Sequence, residues 1–281
     1  MAPVAQVEEW ADECASVVDI EQALVGLRFR PGREDRQLRT SVLTHLAWVP
    51  VEWQAAATET LSGLAERHPS RTLLLFPQPE DDDGLAARVL LECHHLQGTE
   101  RSVCNEVVEL RLRGRRAEAP ATIVLPLLLP DLPVFLRWRG RPDFGSPVFE
   151  QLLGVVDRLV VDSAEWPDLS ESYARLATVF DRAAVSDIAW RRTLQWRRVL
   201  AAAWPERPDR LTGPPAETSL VAGWLRARAG IEVDVERADE LPVGNGDRDQ
   251  SDLLSEELDV FGREPVYEAA VAAAASSADR L

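Results

Sequence analysis

Lysine is absent from this chain: all 31 basic residues among its 281 are arginines. The sequence therefore has no Schiff-base lysine, no lysine general base and no phosphate-binding lysine of a nucleotide-binding loop. It also lacks the glycine-rich, nucleophile-elbow, zinc-helix and paired-cysteine motifs of common enzyme classes. We therefore expect a protein that is not an enzyme, with no catalytic residue, no cofactor and no metal site.

Cysteine and positive charge are also scarce. The three cysteines, an odd and small number, indicate a reducing compartment more than a disulfide framework. The net charge of −16 argues against a nucleic-acid partner, which requires a basic surface to neutralise phosphates. No apolar run reaches the roughly 18 residues of a membrane span, and the first residues lack a signal-peptide pattern. We expect a cytoplasmic protein with neither a membrane nor a nucleic acid as partner.

Short apolar runs with polar stops at both ends indicate the fold class. In the most apolar part of the chain, residues 119–163, two such runs lie at Val134–Trp138 and 159–161, with an amphipathic segment at 147–155 between them. Strands buried on both faces that alternate with helices are typical of parallel sheets. A similar strand, helix and strand pattern covers residues 41–76. We predict an α/β fold with a mixed, largely parallel sheet and flanking helices.

Several segments leave the secondary structure open. Residues 119–129 fit a kinked helix or a strand, because Pro126 disturbs either, and we favour the helix. Residues 19–30 also fit either element. The apolar spacing at 4–14 predicts a helix, and residues 187–204 read as one long helix packed on several sides.

Four prolines between residues 205 and 215 predict a linker. We expect a main body over residues 1–204, with a hairpin at about 86–112 and a core at 119–163. A smaller α+β part is expected over residues 205–281, which makes the fold α/β with a C-terminal α+β addition.

The predicted hairpin brings two cysteines together. If its turn is centred on Gly98 and Thr99, Cys93 lies opposite Cys104. These residues are a candidate redox pair, although reduced thiols that serve only in packing are the favoured alternative. A zinc site with His94 and His95 is less favoured, since adjacent residues of a strand point to opposite faces.

Tryptophan and arginine provide candidates for a partner interface. Trp138 and Trp166 follow or precede loops and are either exposed anchors or core residues. Arg191 and Arg198, seven residues apart on the predicted long helix, form a narrow polar ridge. The ridge is either an anion or partner site, or it pairs with carboxylates of this acidic chain, which is the favoured alternative.

Five motifs in order between residues 41 and 204 resemble a known family. They are His68-Pro69-Ser70-Arg71, Val103-Cys104-Asn105-Glu106, the run from Leu127 to Val134, Val160-Val161-Asp162-Ser163-Ala164, and Ser186-Asp187-Ile188-Ala189-Trp190 with Gln195-Trp196-Arg197. Together they resemble the OpcA family of glucose-6-phosphate dehydrogenase assembly proteins. The likeness is thinner after Pro205.

This resemblance implies a non-catalytic protein whose partner is glucose-6-phosphate dehydrogenase, the first enzyme of the oxidative pentose phosphate pathway. It implies an allosteric activator that promotes the active oligomer. The all-arginine basic set is typical of the GC-rich genomes of actinobacteria, one of the groups in which the family occurs. The chain departs from the family where Arg137-Trp138 replace paired tryptophans and Cys104-Asn105 replace adjacent cysteines.

The alternative function is an α/β nucleotide- or metabolite-binding regulator or enzyme. Its site would lie at the carboxyl ends of the parallel strands, where open sheets bind ligands. Asp131, Asp162 and the Arg191/Arg198 ridge would serve it. A pocket lined by Asp131, Arg139 and Asp162 is the arrangement that this alternative predicts.

Overall fold

The computed structural model describes residues 6–28, 37–38, 41–62, 64, 67–95, 102–206, 208–244, 246 and 248–276. The chain forms two compact units. Unit 1 comprises residues 1–139 and 145–157, and unit 2 comprises residues 140–144 and 158–281. The predicted fold class is confirmed, since a large, mostly parallel mixed sheet is flanked by helices and followed by a helical C-terminal part.

Unit 1 holds seven strands and five helices among its described residues. The strands are β1 (Gln6–Asp12), β2 (Gln37–Leu38), β3 (Leu43–Trp48), β4 (Ser70–Gln78), β5 (Gly84–His95), β6 (Ser102–Arg113) and β7 (Val134–Trp138). The helices are α1 (Val17–Arg28), α2 (Gln54–Ser62), α3 (Arg115–Glu118), α4 (Ala121–Leu127) and α5 (Pro147–Leu153).

The sheet of unit 1 has the strand order β1-β5-β6-β4-β3-β7, with β2 beside β6. The pairs β1–β5 and β5–β6 are antiparallel, and the other pairs of this unit are parallel. Strands β3 and β7 are buried along their whole length. The prediction that these continuous apolar runs are strands buried on both faces is confirmed. The predicted turn at 97–100 lies outside the described residues.

The N-terminal prediction is wrong. Residues predicted as a helix form strand β1, which pairs antiparallel with β5 from Gln6↔Cys93 to Asp12↔Ala87. The reason is that β5 offers an unpaired edge, and backbone bonding to that edge outweighs the weak helical periodicity of a short segment. Val7 remains 55% exposed on this edge strand.

Two open segments of unit 1 are helical. In α1, Ile20, Leu24 and Leu27 are buried at helical spacing. Helix α4 is the favoured kinked helix of the 119–129 segment, with Pro126 in its last turn. Proline is tolerated there because the helix ends at Leu127, and Leu128 is already extended.

Unit 2 holds four strands and six helices among its described residues. The strands are β8 (Arg158–Val161), β9 (Ala184–Asp187), β10 (Arg210–Gly213) and β11 (Asp234–Arg237). The helices are α6 (Leu169–Ala177), α7 (Ile188–Arg192), α8 (Leu194–Ala202), α9 (Pro215–Ala229), α10 (Gln250–Leu258) and α11 (Pro265–Ala275). Strands β8 and β9 pair in parallel, as do β10 and β11.

The proline-rich segment is packed within unit 2. Strand β10 lies in it, and Leu211 joins a buried apolar cluster with Trp196 of α8 and Val221 of α9. This cluster contains residues from both sides of position 205, so the chain is not divided into compact units there. The division into two compact units lies near residue 158. The boundary predicted after residue 204 stays a prediction about independent domains.

The predicted long helix 187–204 is interrupted. Helix α7 ends at Arg192 and α8 begins at Leu194. Between them, the Thr193 hydroxyl donates to the Trp190 carbonyl at 2.7 Å and accepts from Arg197 Nε at 2.9 Å. A threonine that bonds back to the preceding turn competes with the helical ladder, which explains the break.

Candidate functional site

The cysteine pair of the hairpin forms a disulfide in unit 1. Cys93 and Cys104 face each other across β5 and β6, and their Cα atoms are 4.1 Å apart. The predicted register is therefore confirmed. The bonded state differs from the reduced thiols that composition favoured, because the register alone brings the two sulfurs together. The third cysteine, Cys14, is free and exposed.

A buried charge cluster lies on the same face of β6 as the disulfide. We call it the Glu106 cluster, and it comprises Glu106 with Arg28 and Arg71. Arg28 contacts both Glu106 oxygens, and Arg71 Nε donates to Oε2 at 2.8 Å. Burial raises the pKa of Glu106, but the two guanidiniums outweigh burial and leave it below its usual value. A cleft of about 320 Å³ exposes Arg28, Glu106 and the edge of Cys104.

The predicted anchors Trp138 and Trp166 are core residues. Trp138 is 4% exposed and packs on Trp48 and Phe149, with ring centroids 5.2 and 5.4 Å away. Trp166 is 6% exposed, and its Nε1 donates to the Gly140 carbonyl at 3.1 Å. Neither ring is therefore an exposed interface anchor, because each packs in the core of its unit.

The two arginines of the predicted ridge lie on different helices. Arg191 of α7 pairs with Glu257, as the favoured alternative predicted. Burial lowers the pKa of Arg191, but Glu257 outweighs burial and raises it. Arg198 lies on α8 beyond the break and is exposed. The two arginines do not lie on one continuous helix, because the helix is interrupted at Thr193 between them.

The pocket expected at Asp131, Arg139 and Asp162 is not assembled in unit 1. Asp131 is exposed and precedes β7, whereas Arg139 follows that strand. They therefore lie at opposite ends of β7. Arg139 is buried, and its Nη2 donates to Thr60 Oγ1 at 2.9 Å.

Asp162 belongs to a buried charge cluster of unit 2. We call it the Asp162 cluster, and it comprises Asp162, Arg192 and Glu217. Asp162 follows strand β8, and Arg192 reaches both of its oxygens, at 2.6 and 3.0 Å. Arg192 Nε also donates to Glu217 Oε1 at 2.6 Å. Burial lowers the pKa of Arg192, but the two carboxylates outweigh it and raise that pKa strongly.

Asp187 is a buried carboxyl beside this cluster, at the end of β9. Its Oδ1 accepts from the backbone N–H groups of Ser163 and Ala189, at 3.0 and 2.9 Å, and its Oδ2 accepts from the Tyr267 hydroxyl at 3.2 Å. Burial, aided by the nearby charge of Asp162, raises the pKa of Asp187 to about 7.

A cleft of about 640 Å³ opens beside the Asp162 cluster. Arg192 and Glu217 line it together with Ser163 and Ala164, which follow the carboxyl end of β8, where open sheets bind ligands. Trp166, Pro167, Pro214 and Leu241 form an apolar wall. Arg237 and Asp239 line it with exposed side chains. This cleft is the candidate functional site of unit 2.

Two residues of this site were missed by sequence reasoning. Arg192 was passed over because an unbroken helix favoured the seven-residue spacing of its neighbours. Glu217 lies between the predicted linker at 205–215 and the helix predicted after it and was not singled out, although Pro215 at the first turn and an acidic residue two positions later are helix-start signals. Of the predicted residues, the cleft contains Trp166, and Asp162 supports it through Arg192.

The described residues hold neither a metal-binding cluster nor a membrane-spanning helix. No group of three or more histidine, cysteine, aspartate or glutamate side chains there has the arrangement of a metal site. No helix in the described part of the chain is long and apolar enough to cross a membrane.

Comparisons with known proteins give a consistent result. A family model described as "Glucose-6-phosphate dehydrogenase subunit N-terminal domain" matches residues 62–178. Three curated relatives carry the provisional name OxPP cycle protein OpcA. The Synechococcus elongatus protein is 28% identical over 78% of this chain and 48% of its own length. The Nostoc punctiforme protein is 29% identical over 59% of the chain and 39% of its own length. The Synechocystis sp. protein is 28% identical over 59% and 38%. The chain thus spans less than half the length of these relatives.

Proposed function

We propose that this chain, which is similar to OpcA proteins, is an assembly partner of glucose-6-phosphate dehydrogenase. It binds the enzyme in the cytoplasm and favours its active oligomer. It turns over no substrate itself.

One observation carries this proposal. The description of the family model that matches residues 62–178 names glucose-6-phosphate dehydrogenase. The matched residues include both cysteines of the hairpin and strands β4 to β8. The printed name of the relatives places them in the OxPP cycle. A role in the same pathway supports the dehydrogenase as the partner.

The proposed mechanism is a shift of equilibrium. A protein that binds one oligomeric state of an enzyme more tightly than another moves the population towards that state by its difference in affinity. Such an activator needs a complementary surface and no reacting group.

We propose helix α8 and the turn after it as part of that surface. Arg198 is exposed there, next to Val199, which is 53% exposed, and Trp204 is also 53% exposed. Arginine and tryptophan are enriched among the residues that dominate binding energy at interfaces. Arg198 is thus kept as a candidate interface residue, whereas Trp138, Trp166 and Arg191 are used inside their own units.

The proposal is tested by mixing the purified chain with the cognate dehydrogenase at micromolar concentrations. Analytical ultracentrifugation should show a complex and a shift towards a larger dehydrogenase oligomer, with faster glucose-6-phosphate oxidation. Arg198→Glu with Trp204→Ala should weaken the complex, and Arg175→Glu, an exposed arginine on α6, is the matched control. Absence of both a complex and a change in activity would reject the function.

A metabolite-binding regulator is the second candidate function. The observation that favours it is the cleft at the carboxyl end of β8, which Glu217 and Arg192 line. Chromatography of the purified chain after incubation with cell metabolites, followed by mass spectrometry of what is retained, tests it.

A further inference from the structure

One oxygen of the Asp162 cluster has no bonding partner. Glu217 is 3% exposed and its Oε1 accepts from Arg192, but Oε2 is buried without a hydrogen bond. A buried carboxylate oxygen that accepts no hydrogen bond is costly, because it has lost its water without replacement. Glu217 also lines the cleft. Because Oε2 itself is not exposed, a donor group in the cleft bonds it only after a small rotation of the Glu217 side chain, and that bond satisfies the acceptor.

The charge of the cluster determines which donor fits. One guanidinium, Arg192, is shared by two carboxylates, Asp162 and Glu217, so the cluster carries a net charge of −1. The buried carboxyl of Asp187 lies close to Asp162 and adds no positive charge. The negative charge of this arrangement would repel an anion. A cationic N–H donor would neutralise the cluster and at the same time donate a hydrogen bond to Glu217 Oε2.

The shape of the cleft fits the same kind of group. Trp166, Pro167 and Pro214 form an apolar wall beside Glu217. Lysine and arginine carry an apolar stem that packs on such a wall while the charged end reaches an acceptor. Arg237 and Asp239, both exposed, add charges of opposite sign to the lining.

We propose that this cleft receives a lysine or arginine side chain of the partner protein, with its ammonium or guanidinium group bonded to Glu217 Oε2. The occupant is a basic side chain, because the free acceptor, the net negative charge and the apolar wall are each matched by it. This inference rests on the proposed function for the identity of the partner, and it adds the chemistry of the contact.

The test measures the affinity of the full chain for the dehydrogenase by biolayer interferometry. Glu217→Gln should weaken binding about 30-fold, since truncating one side of a buried charge pair costs at least that much. Glu232→Gln, an exposed glutamate of the same unit, is the matched control and should change affinity less than twofold. Unfolding temperatures of both variants show whether the fold is kept.

Two variants of exposed cleft residues keep the test decisive if Glu217→Gln does not fold. Arg237→Gln removes a like charge and should strengthen binding, whereas Asp239→Asn should weaken it, and both effects should shrink with added salt. Equal affinities of these two variants, or wild-type affinity of a folded Glu217→Gln, would overturn the inference while the proposed function stands.

A second measurement separates the inference from the choice of partner. If the wild-type chain does not bind the dehydrogenase, the proposed function fails. Titration with N-acetyl-arginine amide, N-acetyl-lysine amide and neutral N-acetyl-glutamine amide, followed by calorimetry, then decides the site. The inference is supported if a basic amide binds, the neutral amide does not, and the heat of binding disappears in Glu217→Gln. No preference for the basic amides overturns it.

Discussion

The two units each bury an ionic cluster, but the clusters have opposite compositions. In unit 1 one carboxylate, Glu106, meets two guanidiniums, whereas in unit 2 one guanidinium, Arg192, meets two carboxylates. Both oxygens of Glu106 are bonded, but Glu217 Oε2 is not. The comparison shows how the ratio of donors to acceptors matters. With two guanidiniums for one carboxylate, every carboxylate oxygen is bonded, whereas with one guanidinium for two carboxylates an oxygen is left that a further donor can bond.

The largest effect is expected from Arg192→Met. This change leaves Asp162 and Glu217 buried without a counter-charge, which should lower the free energy of unfolding by about 3–5 kcal/mol. Urea denaturation followed by circular dichroism measures it. Arg198→Met, at an exposed position on the next helix, should change stability by less than about 0.5 kcal/mol. Equal stability of the two variants would show that the cluster is not needed for the fold.

The second prediction concerns pH and Asp187. Because its pKa is about 7 in the folded chain, against 3.8 as the ordinary value, the folded state holds this proton more tightly than the unfolded state. Stability from this group is therefore full below pH 4 and is lost as pH rises to 7, by at most on the order of 4 kcal/mol.

Asp187→Asn should remove that loss. The difference in unfolding free energy between the wild type and Asp187→Asn, measured from pH 4 to 8, should change in this window. Asp239→Asn, at an exposed position, is the control. Parallel pH profiles of the wild type and Asp187→Asn would contradict the prediction.

The third prediction concerns Glu106→Gln in unit 1. The change removes the charge that Arg28 and Arg71 share, and we expect a loss of about 2–3 kcal/mol. The pH dependence should have the opposite direction to that of Asp187. The pKa of Glu106 is lowered in the fold, so its stabilisation is present above its ordinary pKa and is lost as pH falls through the folded pKa. Glu109→Gln, on the same strand, is the control in acid denaturation.

The smallest effect on stability is expected from the disulfide. The Cys93–Cys104 bond closes a short hairpin that the β5–β6 ladder already closes, so its removal by Cys93→Ala with Cys104→Ala should cost about 2 kcal/mol. Thiol titration of the unfolded wild type should give one free thiol without reductant and three with it. Three free thiols under oxidising conditions would reject the proposed redox pair and leave the register intact.

The sequence was most informative where a local pattern had one solution. The run at Val134–Trp138 was predicted with the bounds that the structure has. The hairpin register followed from a single assumption about its turn, since the centre of the turn is the only free parameter of antiparallel pairing. The helical alternative for Ala121–Leu127 was favoured for the same kind of reason.

Tertiary contacts decided what local patterns left open or misread. Strand β1 exists because β5 has an edge to fill, and no periodicity within residues 6–12 records that edge. The break at Thr193 depends on a side-chain hydrogen bond that competes with the helix, and it separated Arg191 from Arg198.

The sequence by itself determined the fold class and the facing cysteines of this protein, because apolar runs that alternate with helices and the register of a hairpin are local patterns. Only the tertiary structure decided the two charge clusters. Asp162, Arg192 and Glu217 come from three separate elements, and a charge balance among distant residues has no local signal. Burial then made that balance matter, since an unpaired carboxylate oxygen is harmless in water and costly inside a protein.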